Sequence, residues 1–228
     1  MSLFALALRN VARNRRRSLL TGGVVVFGFA AIALSGGFMS QSFDGLRDGT
    51  IRNGTGHLQF ADPAFFTGSE DAALEHGLPH GDRAAAILTK DPEVLAVLPR
   101  IDFVGLATSG RRSVPFLGTG LDPGPEARTM DTANLLVSGR WLQDVNERGV
   151  VLGSGLARAL NVKPGDTITL LATTPEGVLN AFDATVIGLA DIPIKELDER
   201  YLATTLGLAS DLLVASGRVS KLVVVLRE

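Results

Sequence analysis

The chain has 228 residues, with 22 Lys+Arg, 24 Asp+Glu and no cysteine, a length for one or two globular domains and a composition that leaves no place for a disulfide framework or a thiolate metal site. The net charge of −2 hides an asymmetry. Arg9, Arg13, Arg15, Arg16 and Arg17 precede any acid, residues 18–43 carry no charge, and residues 44–228 hold the remaining 17 Lys+Arg against all 24 Asp+Glu, a net of −7. An acidic main body argues against nucleic acid as its partner.

In chain order, the first element is an amphipathic helix over residues 1–17: Leu3, Phe4, Ala7, Leu8 and Val11 fall on one face and Arg9, Arg13 and Arg16 on the other, the pattern of a helix lying in a membrane interface. The second, within residues 18–43, contains the 21-residue apolar run Leu19–Met39. As a helix it would span about 31 Å, against a hydrocarbon core of roughly 30 Å. Ten Leu, Val, Ile or Phe residues favour insertion despite five glycines. The preceding arginines predict a cytoplasmic N-terminus with residues 44–228 outside.

Two other readings of this run fit it less well. A core helix of a soluble protein rarely runs so long without a polar face. A cleaved signal is imitated by Ala31-Ile32-Ala33 and Arg16-Arg17-Ser18, but the run continues to Met39, longer than a usual signal core. Small residues four apart, Ala31 with Ser35 and Ala33 with Gly37, suit close packing against another membrane helix.

Residues 44–228 read as mixed α and β. Thr55–Phe60 alternates as a half-buried strand, Asp82–Lys90 as a helix capped by its aspartate, and Ile101–Thr108 with Val114–Gly118 as a hairpin around Ser109–Arg112. Gly118–Pro125, rich in Gly and Pro, is the expected crossing between two subdomains. Gly149–Ala172 then reads as strand, small-residue helix (Ser154–Leu160), turn (Lys163–Asp166) and alternating strand. Strands over Val178–Leu189 and Val219–Leu226 flank a helical stretch around Thr204–Leu213. The predicted class is α+β with a β-rich middle.

No catalytic, cofactor or metal-binding constellation assembles from these residues. His76 and His80 have i,i+4 spacing, but Gly77 and Pro79 between them predict a loop, and His57 is expected at the surface. Gly153-Ser154-Gly155 lacks the outer glycine of a nucleophile elbow, so Ser154 reads as a helix N-cap. Gly118, Gly120 and Gly124 miss the dinucleotide spacing, Pro123 would interrupt the receiving helix, and no phosphate-binding P-loop is present. Glu196, Asp198, Glu199 and Arg200 suggest a solvated face. Trp141 and Tyr201, each the sole residue of its type, suit core positions.

The segment Leu8-Arg9-Asn10 through Arg17, the apolar run, Gly56–Phe60, Gly139-Arg140-Trp141-Leu142 and the pattern from Leu156 to Leu170 occur in an order that resembles the MacB-like and FtsX-like ABC transporter permeases, which include the lipoprotein-releasing permeases. The resemblance implies a dimeric permease, with an identical or related second copy, that pairs with a cytoplasmic ABC ATPase in the bacterial inner membrane. ATP hydrolysis by that partner would move a periplasmic core domain and drive export or extraction of a lipophilic substrate or lipoprotein. It also implies an inserted outer subdomain, expected over 118–190, and three further membrane helices beyond residue 228. The competing expectations are a membrane-tethered or exported binding or scaffold module acting without ATP and, with no assembled residues behind it, an exported hydrolase.

Overall fold

With no proline and an apolar centre, the chain from Arg15 to Thr50 forms one 36-residue helix, α1. The computed structural model describes Arg9 and residues 13–67, 74, 77–79, 81–215 and 217–227, and the chain divides into two units, Met1–Gly49 and Thr50–Glu228. α1 is long and apolar enough to cross a membrane, with a mean hydropathy of 2.0 over its best window. Its large side chains stand open, Phe27 being 77% and Leu34 75% exposed. At 1.5 Å per residue it measures about 54 Å, longer than a ~30 Å hydrocarbon core. The interfacial helix expected over 1–17 lies largely outside the described residues.

In the second unit, a wide π-type turn, Ile51–Thr55, leads from the helix into the body. Gly54 (φ 116°) and Gly56 (φ 66°) end the helical path, because backbones with φ > 0 are open to glycine and costly for residues with a Cβ. The strands are β1 (Leu58–Ala61), β2 (Leu78–Pro79), β3 (Val94–Thr108), β4 (Ser113–Leu121), β5 (Leu136–Gly139), β6 (Gly149–Gly153), β7 (Thr167–Thr173), β8 (Leu179–Ala190), β9 (Tyr201–Thr205), β10 (Arg218–Val219) and β11 (Lys221–Leu226). Between them lie helices α2 (Pro63–Thr67), α3 (Gly81–Leu88), α4 (Pro123–Thr129), α5 (Ser154–Leu160), α6 (Lys195–Asp198) and α7 (Leu206–Leu213).

Six strands close on themselves in the order β3-β4-β9-β6-β8-β7 and back to β3, a ring that leaves none of the six as a free edge. β4 with β9 and β6 with β8 are parallel; the other four pairs are antiparallel. Inward residues Ile101, Phe103, Phe116, Val150, Leu152, Ile168, Leu170, Val186 and Leu202 form one buried cluster with Leu156 and Leu160 of α5 and Leu208 and Leu212 of α7. Phe103 and Phe116 meet edge to face at 5.5 Å, an arrangement the ring quadrupole favours. Gly118 is needed here: a Cβ would come within 2.7 Å of the Phe103 ring. β6 is buried on both faces, Val151 packing outward against Trp141, Ile192 and Ala203.

β3 belongs to two assemblies. Val94–Arg100 pairs with β11, which in turn pairs with β1, making a small antiparallel sheet. Ile101–Thr108 belongs to the ring. The strand starts seven residues before the expected Ile101; Pro99 masks it in sequence, yet β3 is paired on one side only along Val94–Arg100, the edge setting in which proline is tolerated.

Three more element bounds differ from those expected: the end of β4, the start of α7 and the last strand. Gly118–Leu121 continues β4, and Asp122 caps α4 by accepting the Gly124 N–H, so the Gly/Pro passage is a strand end and helix start. The segment 118–190 supplies β6, β7 and β8 to the ring, while β3, β9 and most of β4 come from outside it. Helix α7 begins at Leu206 because Tyr201–Thr205 is committed to β9, between β4 and β6; Thr205 caps α7 through the Leu208 N–H. The last expected strand is broken at Ser220, where β10 turns to pair with β2.

Candidate functional site

The first and last strands of the body lie side by side. β1 runs antiparallel to β11, with Leu58 opposite Val224. The His57 N–H donates to the Val224 carbonyl at 2.9 Å, and the Leu226 N–H donates to His57 Nδ1 at 3.2 Å. His57, expected as a surface residue, is instead half-buried and fastens the outgoing strand to the incoming segment. The Arg227 N–H donates to the Glu93 carbonyl just before β3. A second fastener holds the incoming segment laterally: the Asp131 N–H donates to the Arg52 carbonyl at 2.9 Å, and the two side chains approach to 3.9 Å.

Asp131 follows α4, whose Glu126 is 1% exposed and faces Arg100 of β3, 3% exposed. Arg100 Nη2 donates to Glu126 Oε1 at 2.8 Å and stands 2.7 Å from Oε2 without hydrogen-bond geometry. Thr132 donates to Glu126 Oε1 at 3.1 Å, and the buried Arg100 Nη1 has no hydrogen-bond partner. Burial pushes the nearby Tyr201 hydroxyl up to about 12, the Arg100 charge pulling it down and the Glu126 charge adding to the rise. Two residues along β3 the chain is clasped again. The Asp102 N–H donates to Ser220 Oγ at 2.9 Å, its carboxylate accepts from Thr119 Oγ1 at 3.0 Å, and Lys221 Nζ lies 2.6 Å from it.

The residues singled out from sequence divide. Ser154 is the first helical residue and not the N-cap; its hydroxyl donates to the Ala190 carbonyl at 3.0 Å. The first turn of α5 is served by Asp198, whose carboxylate accepts the Gly155 N–H at 2.7 Å. Asp198 is thereby buried, a correction to its place in the solvated face expected of Glu196, Asp198, Glu199 and Arg200, of which the other three are exposed. It comes from 43 residues away, and no local spacing announces it. Trp141 is buried as expected. Its neighbour Arg140 forms an ion pair with Glu147, a bond that raises the arginine and holds the Glu147 carboxyl below the usual range. His76 and His80 lie outside the described residues. Among the described residues no group of three or more His, Asp or Glu is placed to hold a metal ion. Open clefts lie beside α5, one of about 400 Å³ lined by Ser109, Arg112, Asn161 and Asp166 among others.

The model of the MacB-like periplasmic core domain matches residues 18–228, nearly the whole chain. The chain belongs to that family. MacB-like core domains are parts of ABC transporter permeases, which bears out the resemblance read from the sequence. Over 105 residues the chain is 30% identical to the lipoprotein-releasing system transmembrane protein LolE of Haemophilus influenzae, covering 46% of this chain and 25% of that protein. The chain thus spans about a quarter of the length of that curated relative. The MacB-like fold is shared with the extracellular domain of the ABC-type transporter YknZ from Gram-positive bacteria, at a TM-score of 0.51 and 14% identity over 75% of this chain and 82% of that one. A likeness to the periplasmic region of MacB from Actinobacillus actinomycetemcomitans has a TM-score of 0.48 and 20% identity over 66% of this chain and 65% of that one.

Proposed function

We propose that the chain is the N-terminal portion of an ABC transporter permease subunit in the bacterial inner membrane. In this reading α1 crosses the bilayer, residues 1–17 lie on its cytoplasmic surface, and the body from residue 44 onward is periplasmic. A cytoplasmic ABC ATPase and a second permease copy, identical or related, complete the machine. ATP hydrolysis by the partner moves the periplasmic body to export or extract a lipophilic substrate or a lipoprotein. The outer, moving part is the six-stranded ring, to which the expected 118–190 insertion contributes β6, β7, β8 and the end of β4.

The observation that carries this reading is the pairing of β1 with β11. It brings the incoming and outgoing chain together at one end of the small sheet, so a displacement there is delivered to both strands at once. β3 then runs from that sheet into the ring as one continuous strand. The collar of five arginines before an uncharged stretch supports a cytoplasmic N-terminus. Membership of the MacB-like family supports a partner ATPase as the energy source.

Because the chain has no cysteine, single cysteines report topology directly. In intact cells with a permeabilised outer membrane, a membrane-impermeant maleimide should label Glu176→Cys and leave Ser2→Cys unlabelled until lysis; the reverse pattern would overturn the topology. Affinity purification of the full-length polypeptide from solubilised membranes should recover a nucleotide-binding ATPase. A correctly oriented protein that recovers none would favour the tethered binding or scaffold module.

A further inference from the structure

The buried Arg100–Glu126 pair sits at a junction with no catalytic use. Arg100 is the last residue of β3 paired to β11, and Ile101 is the first paired to β4. Two charged side chains at 3% and 1% exposure are a poor source of net stability, since desolvation offsets their attraction and apolar replacements of similar volume often match them. The orphaned Arg100 Nη1 makes the pair poorer still. Helix α4 has other means of staying docked, for Met130 at its end packs on Leu98, Val223 and Val225. What the pair adds is direction, because an ion pair with hydrogen bonds fixes one geometry where apolar contact permits several.

We propose that Arg100 and Glu126 form a latch that fixes the incoming segment Thr50–Thr55 against β3, acting through Thr132 and Asp131. The path is continuous. Arg100 holds Glu126, Glu126 accepts from Thr132, and Asp131, the residue before Thr132, binds Arg52 through its amide and carboxylate. Glu126 is held from both sides by donors on separate elements, so a shift of Arg52 that drags Asp131 and Thr132 loads the buried pair. Conversely, the pair sets where Arg52 rests. Arg100, Glu126 and Thr132 are therefore positioning residues. The latch lies wholly within the body and does not depend on the permease reading.

The test is hydrogen exchange by mass spectrometry on the full chain in lipid nanodiscs, comparing wild type with the double variant Arg100→Met/Glu126→Leu and with Thr132→Val. The double variant should melt within a few degrees of wild type, because the pair is replaced by apolar volume. Exchange in peptides covering residues 50–57 and 131–135 should nevertheless rise about tenfold, with α5 at its wild-type rate. Thr132→Val keeps the buried ion pair and should produce a smaller rise in the same two peptides. Wild-type exchange at 50–57 in both variants would overturn the latch. So would a rise shared equally by α5, which would mark the pair as a general stabiliser. If the double variant does not fold, Thr132→Val alone decides between the same two outcomes.

Discussion

Helix α1 and the six-stranded ring are both rich in Leu, Val, Ile and Phe, yet they use them in opposite ways. In α1, Phe27, Leu34 and Phe38 are about three-quarters exposed; in the ring, Phe116, Leu152 and Leu202 are fully buried. The ring satisfies its apolar surface from within, by closure and by the leucines of α5 and α7. α1 has an apolar surface all round, which water does not tolerate at this scale and a bilayer accepts without cost. Apolar content does not set where a segment ends up. What decides is whether the fold provides partners for it.

That contrast can be broken in several ways. The largest effect is expected from Phe116→Ala, which removes a fully buried ring and its edge-to-face partner. Chemical denaturation of the full chain in detergent should show the body losing about 3–5 kcal/mol, while the far-ultraviolet helical signal of α1 persists through the body's transition. Loss of both in one step would show that the two units do not stand apart.

Next in size is Ile32→Arg, near the middle of the apolar run and 74% exposed. A central arginine should cost about 2.5–3.5 kcal/mol of insertion, read as a fall in the alkali-resistant membrane fraction with the body still folded by limited proteolysis. Unchanged membrane retention would remove α1 from the role of a span.

A smaller effect should follow Asp198→Ala, which strips the Gly155 N–H at the start of α5 of its acceptor. Thermal unfolding should report a loss of about 1–2 kcal/mol, and α1 should not respond. An unchanged melting temperature would mean that water replaces the carboxylate and that this end of α5 is open to solvent.

The smallest change concerns acid. Arg140 holds the Glu147 carboxyl below its ordinary value of 4.5, so folding is helped above that value and the help is lost as pH falls through the lowered one. Glu147→Gln should flatten the decline of stability below about pH 4.5 and leave neutral stability nearly unaltered, because the pair is partly exposed. A pH profile identical to wild type would assign the acid sensitivity to other carboxylates.

The parts legible in advance were those written in contiguous residues. The Ser109–Arg112 turn, the helix at Ser154–Leu160 and the strand after Asp166 are observed within a residue or two, and the uncharged run lies inside the longer helix Arg15–Thr50, since each rests on local periodicity or turn chemistry. β9 was hidden because Tyr201–Thr205 is five residues long and buried between two strands drawn from distant sequence. Without an exposed face it shows no alternation, and it joins α7 with no break. Asp198 was misread for the related reason that its charge looks solvated until Gly155 is brought to it.

The family, the apolar helix with its arginine collar and the mixed α and β body are legible in contiguous residues, because charge runs and short patterns survive without coordinates. The closing of six strands into a ring, the sharing of β3 between two sheets and the meeting of Arg100 with Glu126 in the interior emerge with the folded chain alone. Those facts depend on pairing residues far apart in the chain, as Val94 and Leu226 are. Such pairings form because closure removes strand edges and buries apolar faces together, a gain shared by the whole body and assignable to no local stretch of it.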